Sequence, residues 1–170
     1  VNMVISDDYL GAYQGVVHLI EQGCRRIAHF AGKQHIHIYQ NRLKGYLQAL
    51  EDHNLSVDEE LIIESDLIQN TYRIVQTGYQ MGKKLMKLPQ PPDGLFSSSD
   101  FAAIGAIGYF KESGIAIPDE IALVGYSNDF SASVIEPGLT SLDQHTIRMG
   151  NLAAEQFLKQ ARTKPEKFLS

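Results

Sequence analysis

An α/β fold, with doubly wound parallel strands and helices on both faces, is what this 170-residue sequence predicts. Three observations lead there. Strand-like apolar runs alternate with amphipathic helical stretches along the chain, which is the pattern of βα units. The run "IALVG" at 121–125 is apolar throughout, as a strand covered on both sides must be. The connections are short and polar, with no internal repeat and no low-complexity segment between them.

The elements follow in order. "VNMVI" (1–5) is a β-rich run and is read as the first strand. Residues 10–23 read as a helix, with Ala12, Val16, Leu19 and Ile20 on one face and Gly23 placed to end it. "RIAHFAG" (26–32) is the second strand, in which His29 sits on the sheet and satisfies a buried hydrogen bond. The next helix carries Leu43, Tyr46, Leu47 and Leu50 on its apolar face. "LIIES" (61–65) is the third strand. Residues 70–88 form a helix with Ile74, Gly78, Met81, Leu85 and Leu88 in register and Pro89 beyond its end. "LFSS" (95–98) is the fourth strand. A helix over 100–114 can be capped by Asp100 and closed by Gly114, and "GAIG" (105–108) inside it reads as a close-packing face. "IALVGYS" (121–127) is the fifth strand; a long loop through Pro137 and "LTSLDQ" then leads to a last helix at about 146–161.

Composition narrows the function. The chain is 44% hydrophobic and 21% charged, an ordinary globular balance. Its net charge of −5 shows no basic stripe, so direct contact with a phosphate backbone is not expected. Cys24 is the lone cysteine, which rules out an intrachain disulfide. No apolar run approaches a membrane span and no signal peptide is visible, so a cytoplasmic location is expected and a membrane partner is not.

Ligands of open parallel sheets bind beyond the carboxyl ends of the strands. Those ends are polar here: Ser6–Asp7–Asp8, Lys33–Gln34–His35 with His37, Ser65–Asp66, Ser98–Ser99–Asp100, and Tyr126–Ser127–Asn128–Asp129. Arg42 lies near the start of its helix, where a cation is unfavourable by roughly 0.3–1 kcal/mol unless something offsets it. A planar five-donor fork aimed into the cleft would justify it; a pairing with Asp66 would do so more simply. Asp100 is read first as a helix cap and second as a ligand contact. His35 and His37 lack a third ligand at metal-site spacing, so no metal or other cofactor is expected.

In this order the segments resemble the effector-binding core of the lactose-repressor (LacI/GalR) family of transcription regulators. The carriers are "DDYLGAYQGVVHLIEQGCRRIAHFAG", "NRLKGYLQAL", "PDGLFSSSDFAAIGAIGYFKESGIAIPDEIALVGYSND" and "PGLTSLDQHTIRMGNLAAEQFL", which together cover nearly the whole chain. The resemblance implies a fold like type I periplasmic binding proteins, two lobes hinged around a sugar-sized cleft. Residues 1–32 and 142–162 would form part of the first lobe and residues 33–141 the second, and the family's helix-turn-helix would lie outside the chain. Arg42 falls on the family's effector-clamping arginine, Ile38 on a ligand-facing position, Ser99 and Gln144 on other cleft positions, and Leu67 near a loop position where relatives often stack an aromatic. Asp100, Ser127 and Asn128, from the polar strand ends, are ligand-binding candidates beside them. At Ser127 many relatives carry an aspartate, so a charged acceptor is lost there, and Asn128 or Asp129 could stand in for it.

The expected function is therefore allosteric sensing of a small polyhydroxylated ligand by a homodimeric regulator that reaches operator DNA only through its helix-turn-helix. A periplasmic sugar-binding protein is the alternative on the same fold. A phosphate-accepting receiver domain, raised by Asp7–Asp8, lacks the lysine its chemistry needs after the fifth strand. Neither G-x-G-x-x-G nor G-x-S-x-G occurs at a strand–helix turn, and an enzyme is not expected. Arg42→Ala is expected to abolish ligand-induced stabilisation and to leave the fold intact.

Overall fold

A computed structural model describes residues 3–68 and 70–162. The elements run α1 (Asp8–Glu21), β1 (Ile27–Ala31), α2 (His37–Asp52), β2 (Ile62–Glu64), α3 (Thr71–Leu85), β3 (Gly94–Ser97), α4 (Asp100–Glu112), β4 (Ala122–Tyr126), α5 (Phe130–Val134), β5 (Thr140–Leu142) and α6 (Thr146–Arg162), with a 3-10 turn at Glu59–Leu61. The sheet has the order β2-β1-β3-β4-β5. Every pair is parallel, in a register that sets Ile27 beside Gly94, Gly94 beside Ala122 and Val124 beside Thr140.

Strand alternation divides the core in two. Ala28, Phe30, Leu95 and Leu123 point to one face, where they meet Ile74, Met81 and Leu85 of α3 and Ala103, Ala106 and Phe110 of α4. Ile27, Phe96, Val124 and Tyr126 point to the other, against Ala12, Val16 and Leu19 of α1 and Tyr46 and Leu50 of α2. The helices end as their sequences direct. Asp7 caps α1 by accepting from the Leu10 N–H at 2.9 Å, and Asn70 caps α3 through the Arg73 N–H at 3.1 Å. Gly23 and Gly114, just past α1 and α4, take positive φ.

Several expectations are corrected. The described part of 1–5 is not a strand, and Val1 and Asn2 lie outside the described residues. A β-prone run joins a sheet only where a partner edge receives it, and the fifth strand is instead β5, three residues of "LTSLDQ" bonded to β4. β1 is interior to the sheet, between β2 and β3, and α1 packs on α2 and β4. At the other end, residues 151–161 of α6 are exposed throughout. The N-cap of α4 is Ser99, not Asp100, whose side chain turns away to bind β4 and β5. Finally, α2 begins at His37, which moves Arg42 out of the first turn and away from the most positive end of the helix.

Candidate functional site

The strand order 2-1-3-4-5 reverses between β1 and β3, and this switch point is where a doubly wound sheet opens a crevice at its carboxyl edge. Arg42, in the second turn of α2, lies at it. The residue is 5% exposed. Its Nη1 donates to the Ser98 carbonyl at the end of β3 at 2.8 Å. Its Nε and Nη2 both donate to Asp8 Oδ1, at 2.9 and 2.7 Å. The guanidinium carbon stands 3.6 Å from the centre of the Tyr126 ring at the end of β4, within cation–π range. Three segments distant in sequence are thus fastened to one cation on α2. Burial pushes the Tyr126 phenol up to about 12, with Arg42 opposing, so it stays protonated and neutral.

Sequence reasoning misses Asp8 as a site residue and offers Asp66 as the simpler partner of Arg42. Asp66 instead accepts from the Ile68 N–H at 3.0 Å. The adjacent acids at the start of α1 divide the work: Asp7 caps the helix, while Asp8, buried, reaches back to α2. The legible signal was the doubled acid itself, since a helix start needs only one cap.

A second cluster begins two residues beyond Ser98. Asp100 is fully buried and accepts three bonds: from Ser141 Oγ on β5 at 2.7 Å, from the Asp129 N–H at 2.8 Å and from Ser127 Oγ at 3.2 Å. The carboxylate also fills the space over Gly125, where any Cβ would overlap its Oδ1. Ser127 and Asn128 both have positive φ, +128° and +50°, a costly conformation for non-glycine residues that concentrates at functional turns. This turn brings the Asn128 N–H to Ser141 Oγ at 2.9 Å.

The other expected residues are placed as follows. Ile38 is 39% exposed in the first turn of α2. Ser99 is half-buried at the start of α4, Ser127 is half-buried and Asn128 exposed. Gln144 lines, with Tyr126 and Leu142, a cleft of about 330 Å³ that also touches 4–7 and Arg148. Leu67 differs: it is packed in the core, and its carbonyl accepts from the Tyr39 hydroxyl at 3.3 Å, so the exposed apolar side chain of that loop is Ile68. Ser98 Oγ is buried without a hydrogen-bond partner, directly under this rim.

A larger cavity, about 580 Å³, opens at the opposite, amino-terminal ends of the strands. Several of its polar groups are already engaged. The Asp93 carboxylate accepts from the N–H groups of Arg25 and Arg26, the Cys24 thiol donates to the Asp93 carbonyl, and Glu120 accepts from the Ala116 N–H. The carboxyl edge, where Arg42, Asp100 and the positive-φ turn at Ser127–Asn128 come together at the switch point, is the better site. Among the described residues, no cluster of three or more His, Cys, Asp or Glu side chains could hold a metal, and no helix is long and apolar enough to cross a membrane.

Comparison with known proteins agrees with this fold. The family model described as "Periplasmic binding protein-like domain" matches residues 16–168. The HTH-type transcriptional repressor CytR of Escherichia coli (strain K12) is 31% identical over 154 residues, 91% of this chain and 43% of that protein. The HTH-type transcriptional repressor PurR of Actinobacillus pleuropneumoniae serotype 3 is 31% identical over 147 residues, 86% of this chain and 42% of that protein. This chain thus spans less than half the length of either repressor. A structure of the transcriptional regulator CelR–cellobiose complex superposes with a TM-score of 0.79 at 30% identity, covering 91% of this chain and 46% of that one. A LacI-family regulatory protein from Chloroflexus aggregans superposes with a TM-score of 0.85 at 26% identity, covering 95% and 56%. The chain belongs to the periplasmic-binding-protein-like domain family, and its relatives there are LacI-family transcriptional regulators.

Proposed function

We propose that this chain is the effector-sensing core of a bacterial transcriptional regulator. A small polyhydroxylated ligand, a sugar or a related molecule, binds at the carboxyl edge of the sheet. Arg42 is its anchor, Ile38, Ser99, Ser127, Asn128 and Gln144 surround it, and Asp100 holds the β4 turn in place. Arg42 has no catalytic duty on this reading. The segments 3–7 and 143–162 lead to a second lobe that closes over the ligand, and the exposed Ile147, Phe157 and Leu158 of α6 belong to that lobe's packing. Ligand binding selects one lobe arrangement, and a coupling of about 1–3 kcal/mol is relayed to a helix-turn-helix in the homodimer.

The observation that carries the reading is the Arg42 guanidinium fixed at the β1/β3 switch point, tied to Ser98 and Tyr126. Two facts support the ligand and the output: the relatives are HTH-type repressors, and one structural neighbour was solved with cellobiose. The test is a thermal-shift screen of the complete protein against neutral sugars and nucleosides, repeated with Arg42→Lys. Lysine keeps a cation beside Asp8 and loses the fork. The stabilising ligand should bind the variant at least about tenfold more weakly, 1.4 kcal/mol. Unchanged affinity removes Arg42 from the site.

A further inference from the structure

We propose that the effector of this site is uncharged and that Asp8 is the residue that enforces this choice. The inference rests on the reading of the carboxyl edge as the effector site. An arginine grips a phosphate or carboxylate best through two parallel N–H donors along one edge of its fork. In Arg42 the Nε–Nη2 edge is taken: both atoms donate to Asp8 Oδ1, at 2.9 and 2.7 Å. The protein's own carboxylate sits where a ligand's anion would sit. Both side chains are only 6% exposed, so water screens the pair poorly and their charges cancel locally. Three of the five guanidinium N–H groups are engaged by Asp8 and Ser98. The two left over, one on each Nη, can still reach hydroxyl or carbonyl oxygens, and the charge that would draw an anion to them is already offset by Asp8.

The surrounding charges act in the same direction. Lys33, the cation at the end of β1, is 3.6 Å from Glu64. With those two pairs and Asp143–His145, 3.4 Å apart, set aside, Asp7, Asp66, Asp100 and Asp129 follow the carboxyl ends of strands or open helices there, against Arg73 in the first turn of α3 and Arg148 in the first turn of α6. An anionic ligand would enter a field already negative; a neutral polyol would not feel it.

The experiment compares the complete wild-type protein with Asp8→Asn and Asp8→Glu. The neutral probes are cellobiose and a panel of monosaccharides and nucleosides; the anionic probes are inorganic phosphate and glucose 6-phosphate. Millimolar phosphate should leave the wild-type melting temperature unchanged. Asp8→Asn, with the edge freed, should bind phosphate at least about tenfold more tightly than wild type, Asp8→Glu should not, and adding Arg42→Gln should erase the gain. Equal phosphate binding by wild type and a cooperatively melting Asp8→Asn overturns the proposal. If Asp8→Asn does not fold, the wild type decides: glucose 6-phosphate stabilising it more than every neutral probe overturns the proposal, and the reverse supports it. Failure of the underlying reading looks different: no neutral probe stabilises the wild type, while Asp8→Asn still gains phosphate.

Discussion

Removing the Arg42 side chain would strand the Asp8 carboxylate in a nearly dry setting, and breaking a buried pair from one side costs about 3–5 kcal/mol. Arg42→Ala should therefore lower the denaturation midpoint markedly as well as abolish ligand response. This replaces the expectation from sequence that alanine leaves the fold intact, and chemical denaturation of the two proteins measures it. His29 offers a second residue-level test. Its ring lies between Tyr46 and Phe96, with centroids 4.9 and 5.0 Å away, and Nδ1 donates to the Phe96 carbonyl at 3.1 Å. Nε2 is buried with no partner. Burial lowers its pKa from 6.5 to about 4, with a smaller push from the Arg42 charge, while the carbonyl opposes. The depressed value belongs to the folded state, so between these two values the unfolded chain binds the extra proton. Stability from this group is complete above about pH 6.5 and is lost as pH falls toward 4, roughly 3 kcal/mol in all. His29→Phe should flatten the pH dependence of unfolding across that window; an unchanged slope would contradict the assignment.

Among the elements, the α3–α4 contact is set by two glycines. A Cβ on Gly78 would overlap the Ala102 carbonyl, and one on Gly105 would overlap that of Val75, so the two helix backbones touch. Gly108, one turn on, meets only the Tyr79 ring edge, 4.0 Å away. Gly105→Ala should destabilise by about 1–3 kcal/mol through overpacking, whereas Gly108→Ala should be neutral or stabilise by up to about 1 kcal/mol through helix propensity; thermal unfolding of the pair separates them. This contact was legible in "GAIG", although only its first glycine makes it. The helices were legible for a general reason: each repeats its apolar residues at 3.6 spacing, as Ala12, Val16 and Leu19 do. The interior strands were legible as apolar runs. The edge was not. β5 is three residues, Thr140–Leu142, only partly buried, and its identity comes from bonds to β4 that no local pattern encodes. The described residues 3–5 failed in the opposite direction, with strand propensity and no pairing to the sheet.

At the scale of the molecule, the parallel sheet gathers the ends of five strands along one edge, and that convergence followed from the βα alternation alone. What the edge does with its charges did not follow. The Arg42–Asp8 pair spans 34 residues of sequence, and Asp100 binds Ser141 across 41; both depend on tertiary placement. They do one job between them: Arg42 ties α1 and α2 to β3 and β4, and Asp100 ties α4 to β4 and β5, so a ligand at the edge touches both layers of helices at once. That is the arrangement an effector needs in order to bias a whole lobe. The most direct measurement is a crystal structure of the complete protein with the neutral sugar or nucleoside that stabilises it most. The ligand is expected beyond the carboxyl ends of β3 and β4, hydrogen-bonded to the free N–H groups of Arg42 with the Asp8 pair intact. A ligand seated instead in the cavity at the amino-terminal ends of the strands, with Arg42 untouched, would contradict the account.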